Sequence, residues 1–261
     1  MIVSSKNQKV KDIRRFLRCK GDHAVLEGPH LVQEAIAGGL KLELIVATPT
    51  FLGSAEGERL LPELSTSVTE VAESILEDLC DADSPKGILG VVRLPRRGLA
   101  DLPALPQSEV FLYAYQIQDP GNLGALARTG EAFGASALIL SANTVHPNHP
   151  RALRASAGSL LRLPIAVGVE PAELPSSALP PNLSSLALVP REGIPLDRFR
   201  PQFPLLLMVG SEGAGLPESM LRGADSLVTI PMLDPVESLN VTVAASVVLW
   251  QIGQHRAAAT T

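Results

Sequence analysis

Four short apolar runs in the second half of the chain limit its fold more than any other feature. Residues 110–115, 186–189, 205–209 and 227–230 show no alternation of polar and apolar side chains. A strand with one face in water alternates. A strand that does not is covered on both faces, as in a parallel sheet flanked by helices. Further elements fill the spaces between these runs: a helix ending near Phe133, a strand over 137–140, a helix over 152–161, an extended piece over 165–169 and a long last helix over 241–254. The spacing predicts an α/β domain with a mostly parallel sheet over 108–261. A smaller α/β domain is expected over 1–95, with helices over 30–37, 56–64 and 72–79 and strands over 42–47, 67–71 and 88–92. The stretch 96–107 (RRGLADLPALPQ) has the proline and glycine content of a linker.

Charge and composition exclude several functions. Aromatic residues are only 3% of the 261, so rings cannot be the main recognition device. A net charge of −5 excludes a generally basic nucleic-acid binder. A local basic patch survives that test: Lys6, Lys9, Lys11, Arg14, Arg15, Arg18 and Lys20 face a single acid, Asp12, within the first 20 residues. Val10, Ile13 and Phe16 or Leu17 give that segment an apolar helical face. Charge alone leaves it either a solvated amphipathic helix or a phosphate-contacting arm. Cys19 and Cys80 are far apart without CxxC spacing, which points to reduced thiols and neither a disulfide framework nor a zinc knuckle. No apolar run approaches 18 residues and the N-terminus has no signal-peptide core, so a cytoplasmic protein is expected. His146 and His149 have no carboxylate or thiol nearby in sequence, and no metal is expected. Arg151 and Arg154 stand beside them.

Three segments break the apolar pattern. In Asp119-Pro120-Gly121-Asn122, Asp is an N-cap with Pro at the first helical position, and Arg128 follows on the same helix. In 209–217 (VGSEGAGLP), glycines at a strand's end let backbone approach a ligand, without the register of a P-loop or GxGxxG. In 230–232 (IPM) and 237–246 (ESLNVTVAAS), Ser238 or Asn240 stands at a helix entrance.

In this order and spacing the three segments resemble the SpoU family of RNA ribose methyltransferases, within the SPOUT superfamily. RASAGS at 154–159, EGPHLV at 27–32 and SPKG at 84–87 extend the resemblance over nearly the whole chain. The resemblance implies a C-terminal domain tied in a deep trefoil knot and an N-terminal substrate-binding domain. It implies S-adenosylmethionine as cofactor, held by Leu188, Val209, Gly210, Gly213, Ile230, Met232 and Leu239. The activity implied is methyl transfer to a ribose 2′-hydroxyl, with large-subunit ribosomal RNA as substrate. A tRNA enzyme and a catalytically silent RNA-binding protein are the alternatives. The catalytic set would be Arg128, Asn122, Glu212, Ser238 and Asn240. Arginines hold their protons firmly, so Arg128 is read as orienting the 2′-oxygen or a phosphate and stabilising developing negative charge. RNA contacts would come from Lys9, Lys11, Arg14, Arg15, Arg18, His30 and Arg154. A homodimer through the knotted domain is expected, with Trp250 on the last helix as a packing element.

Overall fold

The structure, a computed structural model, describes residues 1–18, 21–81, 84–102, 110–174 and 179–260. Cys19, Lys20, part of the expected linker (103–107) and part of the proline-rich loop (175–178) lie outside the described residues. In chain order the first elements are α1 (Gln8–Phe16), β1 (His23–Glu27), α2 (Pro29–Ala37), β2 (Leu42–Ala47), α3 (Pro49–Leu52), α4 (Ala55–Leu60), β3 (Val68–Glu70), α5 (Glu73–Glu77) and β4 (Ile88–Arg93). Then come β5 (Val110–Ala114), α6 (Pro120–Ala132), β6 (Ala135–Leu140), α7 (Pro150–Ser156), α8 (Ser159–Arg162), β7 (Ile165–Ala166) and β8 (Ser184–Leu188). The last are β9 (Ile194–Pro195), β10 (Leu205–Val209), α9 (Glu218–Gly223), β11 (Ser226–Thr229) and α10 (Val241–Thr260).

The chain divides into two compact units: Met1–Pro95 with His146–Arg162, and Arg96–Val145 with Leu163–Thr261. The excursion 146–162 was not expected in the first unit.

The first unit holds a four-stranded sheet in the order β1-β4-β2-β3. β4 pairs antiparallel with β1 and β2, and β3 runs parallel to β2. Asn7 caps α1 by accepting from the Lys9 N–H at 2.9 Å, and Val10 and Ile13 bury its apolar face against Val25, Val46 and Val91. Three polar ties hold the excursion to this unit. Arg154 pairs with Glu27 and Asp81, Arg162 pairs with Glu34, and the buried Asn148 amide donates to the Leu94 carbonyl at 3.2 Å. The expected helix over 152–161 is broken into α7 and α8. Ala157 takes a left-handed conformation at φ 47° and Gly158 follows at φ 92°, which stops the helical ladder.

The second unit carries a seven-stranded sheet in the order β7-β6-β5-β10-β8-β11-β9, and every adjacent pair is parallel. β5 and β10 are buried along their whole length, as their unalternating sequences require. Tyr113 is fully buried, and its hydroxyl is satisfied by the Val169 carbonyl at 3.0 Å. The order reverses between β5 and β10. From β5 the chain moves outward through β6 to β7, then returns to build the other half. Such a switch point is where open α/β sheets place their ligands.

Candidate active site

Beyond the carboxyl ends of β10, β8 and β11 lies a cavity of about 700 Å³. That volume falls in the ~300–1,000 Å³ range of small-molecule sites. Three stretches line it: 188–192 after β8, 209–216 after β10, and 230–244 running from β11 into α10. All of the residues expected to hold the cofactor meet here: Leu188, Val209, Gly210, Gly213, Ile230, Met232 and Leu239. Apolar walls joined to exposed loop backbone fit a cofactor with a flat nucleoside part and a polar tail, as S-adenosylmethionine has.

The reason for one glycine differs from the expectation. A Cβ on Gly210 would sit 2.2 Å from the Gly215 carbonyl carbon and 2.4 Å from the Leu216 nitrogen. The loop closes on itself there, and the Gly215 N–H donates to the Ser211 carbonyl at 2.9 Å. Gly210 is therefore demanded by the turn's own backbone. At Gly213 no atom lies within 4 Å of the equivalent point, so that position is open to a ligand.

A polar cluster is built around Asn122. Asp119 caps α6 by accepting from the Asn122 N–H at 2.8 Å, with Pro120 at the first helical position. The Asn122 side-chain amide donates to the Glu212 carboxylate, and its Oδ1 accepts from Asn240 Nδ2 at 3.1 Å. The Asn122 backbone carbonyl accepts from the Thr242 hydroxyl at 3.3 Å. Asn240 is the N-cap of α10, accepting from the Thr242 N–H at 2.9 Å. One side chain thus joins the start of α6, the β10 loop and the start of α10. Glu212 and Ser238 also line the cavity.

Arg128 is not brought into this cluster. It stands exposed on α6, and its side chain has no hydrogen bond or ion pair among the described residues. Asn122, Glu212 and Asn240 bond to one another instead of holding it. Thr242, Glu237 and Arg191 belong to the cluster or the cavity and were not singled out from sequence. Thr242 had a readable signal in its place two residues after a cap, whereas Arg191 had none.

The expected RNA contacts fall into three groups. Lys11 and Arg18 are exposed and have no side-chain partner among the described residues, as is His30 in the first turn of α2. Lys9 donates to Thr69 at 2.6 Å, Arg14 lies 3.8 Å from Asp78, and Arg15 pairs with Asp12 at 3.2 Å. Arg154 differs from the expectation. Its guanidinium is engaged by Glu27, whose side chain is 3% exposed, and by Asp81 at 3.1 Å. Burying Glu27 demands a cation, and Arg154 supplies it. The neighbouring Cys80 thiol is pushed up to about 12, mainly by burial and further by the Glu27 charge. His149 Nδ1 accepts the Arg151 N–H at 3.2 Å and so caps α7. Among the described residues no cluster of side chains could hold a metal ion, and no helix is long and apolar enough to cross a membrane.

Comparison with known proteins covers both units. The pattern of the SpoU rRNA Methylase family matches residues 109–250, and that of the MRM3-like substrate binding domain matches 7–90. A Bacillus subtilis protein, 23S rRNA (guanosine(2553)-2′-O)-methyltransferase RlmP, is 30% identical over 96% of this chain and 98% of its own. The crystal structure of an AdoMet-bound rRNA methyltransferase from Sinorhizobium meliloti superimposes with a TM-score of 0.84 at 27% identity, covering 97% of each chain. That of an RNA 2′-O ribose methyltransferase gives 0.83 at 28% identity, covering 98% of this chain and 99% of the other. The ordered motifs, the parallel sheet and the cavity at its carboxyl edge have the same explanation: this chain belongs to the SpoU rRNA methylase family.

Proposed function

We propose that this protein transfers the methyl group of S-adenosylmethionine to a ribose 2′-hydroxyl of large-subunit ribosomal RNA. The observation that carries the reading is the convergence of the cofactor residues on one cavity beside the Asn122–Glu212–Asn240 cluster. When bound, the cofactor supplies an electrophilic methyl on a sulfonium. The reaction breaks one S–C bond, forms one C–O bond and releases the hydroxyl proton to solvent. A ribose hydroxyl is a poor nucleophile at neutral pH, so stabilising its developing charge is the protein's main task.

In this reading Leu188, Ile230, Met232 and Leu239 would form the apolar wall, and Val209, Gly210 and Gly213 would hold the cofactor through their backbone. Asn122, Glu212, Ser238 and Asn240 fix the loops that orient the ribose. Arg128, which has no side-chain partner among the described residues, would hold the 2′-oxygen or its neighbouring phosphate. The exposed basic residues of α1, with His30, contact RNA phosphates, and Arg154 is left out of that surface. The second unit is proposed to be knotted and to pair with a second copy. Val243, Val247 and Trp250, at 49%, 38% and 51% exposure, line one face of α10 and support that pairing. Light scattering that gave a monomer mass at working concentration would remove the dimer.

The test is incorporation of labelled methyl from S-adenosylmethionine into purified 23S rRNA and, separately, tRNA. Methylation of 23S rRNA at one alkali-resistant position is expected. Arg128→Ala should abolish it and leave cofactor affinity within about twofold. Methylation of tRNA alone would overturn the substrate. Binding of RNA without cofactor binding would replace the enzyme with an RNA-binding protein.

A further inference from the structure

The cavity wall is unevenly charged. Among the described residues that line it, three carry carboxylates (Glu192, Glu212 and Glu237) and one carries a cation, Arg191. Glu212 is already engaged by Asn122. The cofactor proposed above ends in an amino acid, so its tail brings an ammonium and a carboxylate. The ammonium has Glu192 and Glu237 to choose from. Among the described lining residues, Arg191 is the cation that can pair with the carboxylate.

The present partner of Arg191 is a weak one. Its Nη2 lies 3.7 Å from Asp234 Oδ1, with side chains 62% and 93% exposed. Exposed pairs of this length contribute little and are easily exchanged. The guanidinium fork matches a carboxylate with two parallel hydrogen bonds, a geometry stronger than a single long contact. Arg191 follows β8 and Asp234 follows β11, so the pair links two of the loops that bound the cavity.

We propose that Arg191 binds the carboxylate of the methionine portion of S-adenosylmethionine, exchanging Asp234 for it when the cofactor enters. This rests on the cofactor reading above. Calorimetry on the full-length protein tests it with two ligands: S-adenosylmethionine, and 5′-methylthioadenosine, which keeps the nucleoside but has no carboxylate. Arg191→Gln should weaken S-adenosylmethionine about tenfold, the loss of one charge-assisted contact. It should leave 5′-methylthioadenosine within about twofold. Asp234→Asn should bind S-adenosylmethionine at least as tightly as wild type, because it only releases the competing partner.

Equal loss for both ligands would mean that Arg191→Gln distorts the loop, and would overturn the assignment. No loss for either would also overturn it. In that case a reduced salt dependence of RNA binding by the same variant would give Arg191 a phosphate partner instead. Wild-type protein that bound neither ligand would overturn the cofactor reading itself.

Discussion

Removing Arg154 should cost this protein stability and leave its RNA affinity almost untouched. The Glu27 side chain is 3% exposed and that of Arg154 28% exposed, so Arg154→Ala leaves a carboxylate in the first unit without its cation. Breaking a buried ion pair from one side costs roughly 3–5 kcal/mol. Glu27 keeps one donor, the Asp81 N–H at 3.0 Å, and Arg154 is not wholly buried, so the low end applies: about 3 kcal/mol. For a unit of this size that lowers the thermal midpoint by roughly 10 °C. Glu27→Gln keeps the acceptor for Asp81 and removes the charge. Glu27→Gln/Arg154→Ala should therefore recover to within about 1 kcal/mol of wild type. Urea unfolding of the four proteins completes the double-mutant cycle, and filter binding to 23S rRNA across a salt series supplies the second readout. A phosphate contact would lower the salt slope by ~0.9 when removed. The double variant should show wild-type slope. A single variant costing less than about 0.5 kcal/mol, or a double variant as unstable as the single, would refute the electrostatic argument.

Three further outcomes follow from features already described. Charge reversal at Lys11 and Arg18, which have no side-chain partner among the described residues, should weaken 23S rRNA binding and flatten its salt dependence by close to two phosphate contacts. Reversal at Arg14 and Arg15, already paired with Asp78 and Asp12, should do so less; equal effects would place RNA on the whole of α1. In a Cys19→Ser background, where Cys80 is the sole thiol, reaction with a disulfide reagent at pH 8 should run at least tenfold slower than free cysteine. The raised value near 12 leaves almost no thiolate there. The protonated thiol is the form the fold favours. Its stabilisation is intact below the ordinary thiol value of 9.0 and is lost as pH rises toward 12, so alkaline titration should destabilise the protein through that window.

The parallel sheet was legible because β5 and β10 carry no polar residue to face water, and a strand of that kind has few places to go. The start of α6 was legible because Asp119 and Pro120 are local chemistry, acting on atoms three residues away or fewer. The cavity lining was legible by resemblance, through ordered motifs. What escaped was long-range or irregular. β1 (HAVLE) is five residues with polar ends and has no pattern of its own; its place is set by pairing with β4 across 62 or more residues. β9 has two residues and exists only beside β11. The break at Ala157 puts an alanine where glycine is usual, so only Gly158 could have announced it. Arg154 was read as an RNA contact because its partner Glu27 lies 127 positions away, a separation over which sequence spacing carries no charge-pairing signal. Arg128 and Asn122 share a helix and a motif, yet six residues of rise and rotation keep them from one point.

The excursion 146–162 has a consequence for how the chain is made. Synthesis runs from the N-terminus, so the four strands of the first sheet emerge early, with Glu27 among them. The arginine that neutralises Glu27 follows only after β5 and β6 of the second sheet have been translated. A nascent chain that has reached Pro95 is therefore an unfinished domain, and the ribosome must deliver residue 162 before the first unit can close. The two units are completed in interleaved order. A chain cut at the apparent linker should be a poor folder even though every strand of its sheet is present.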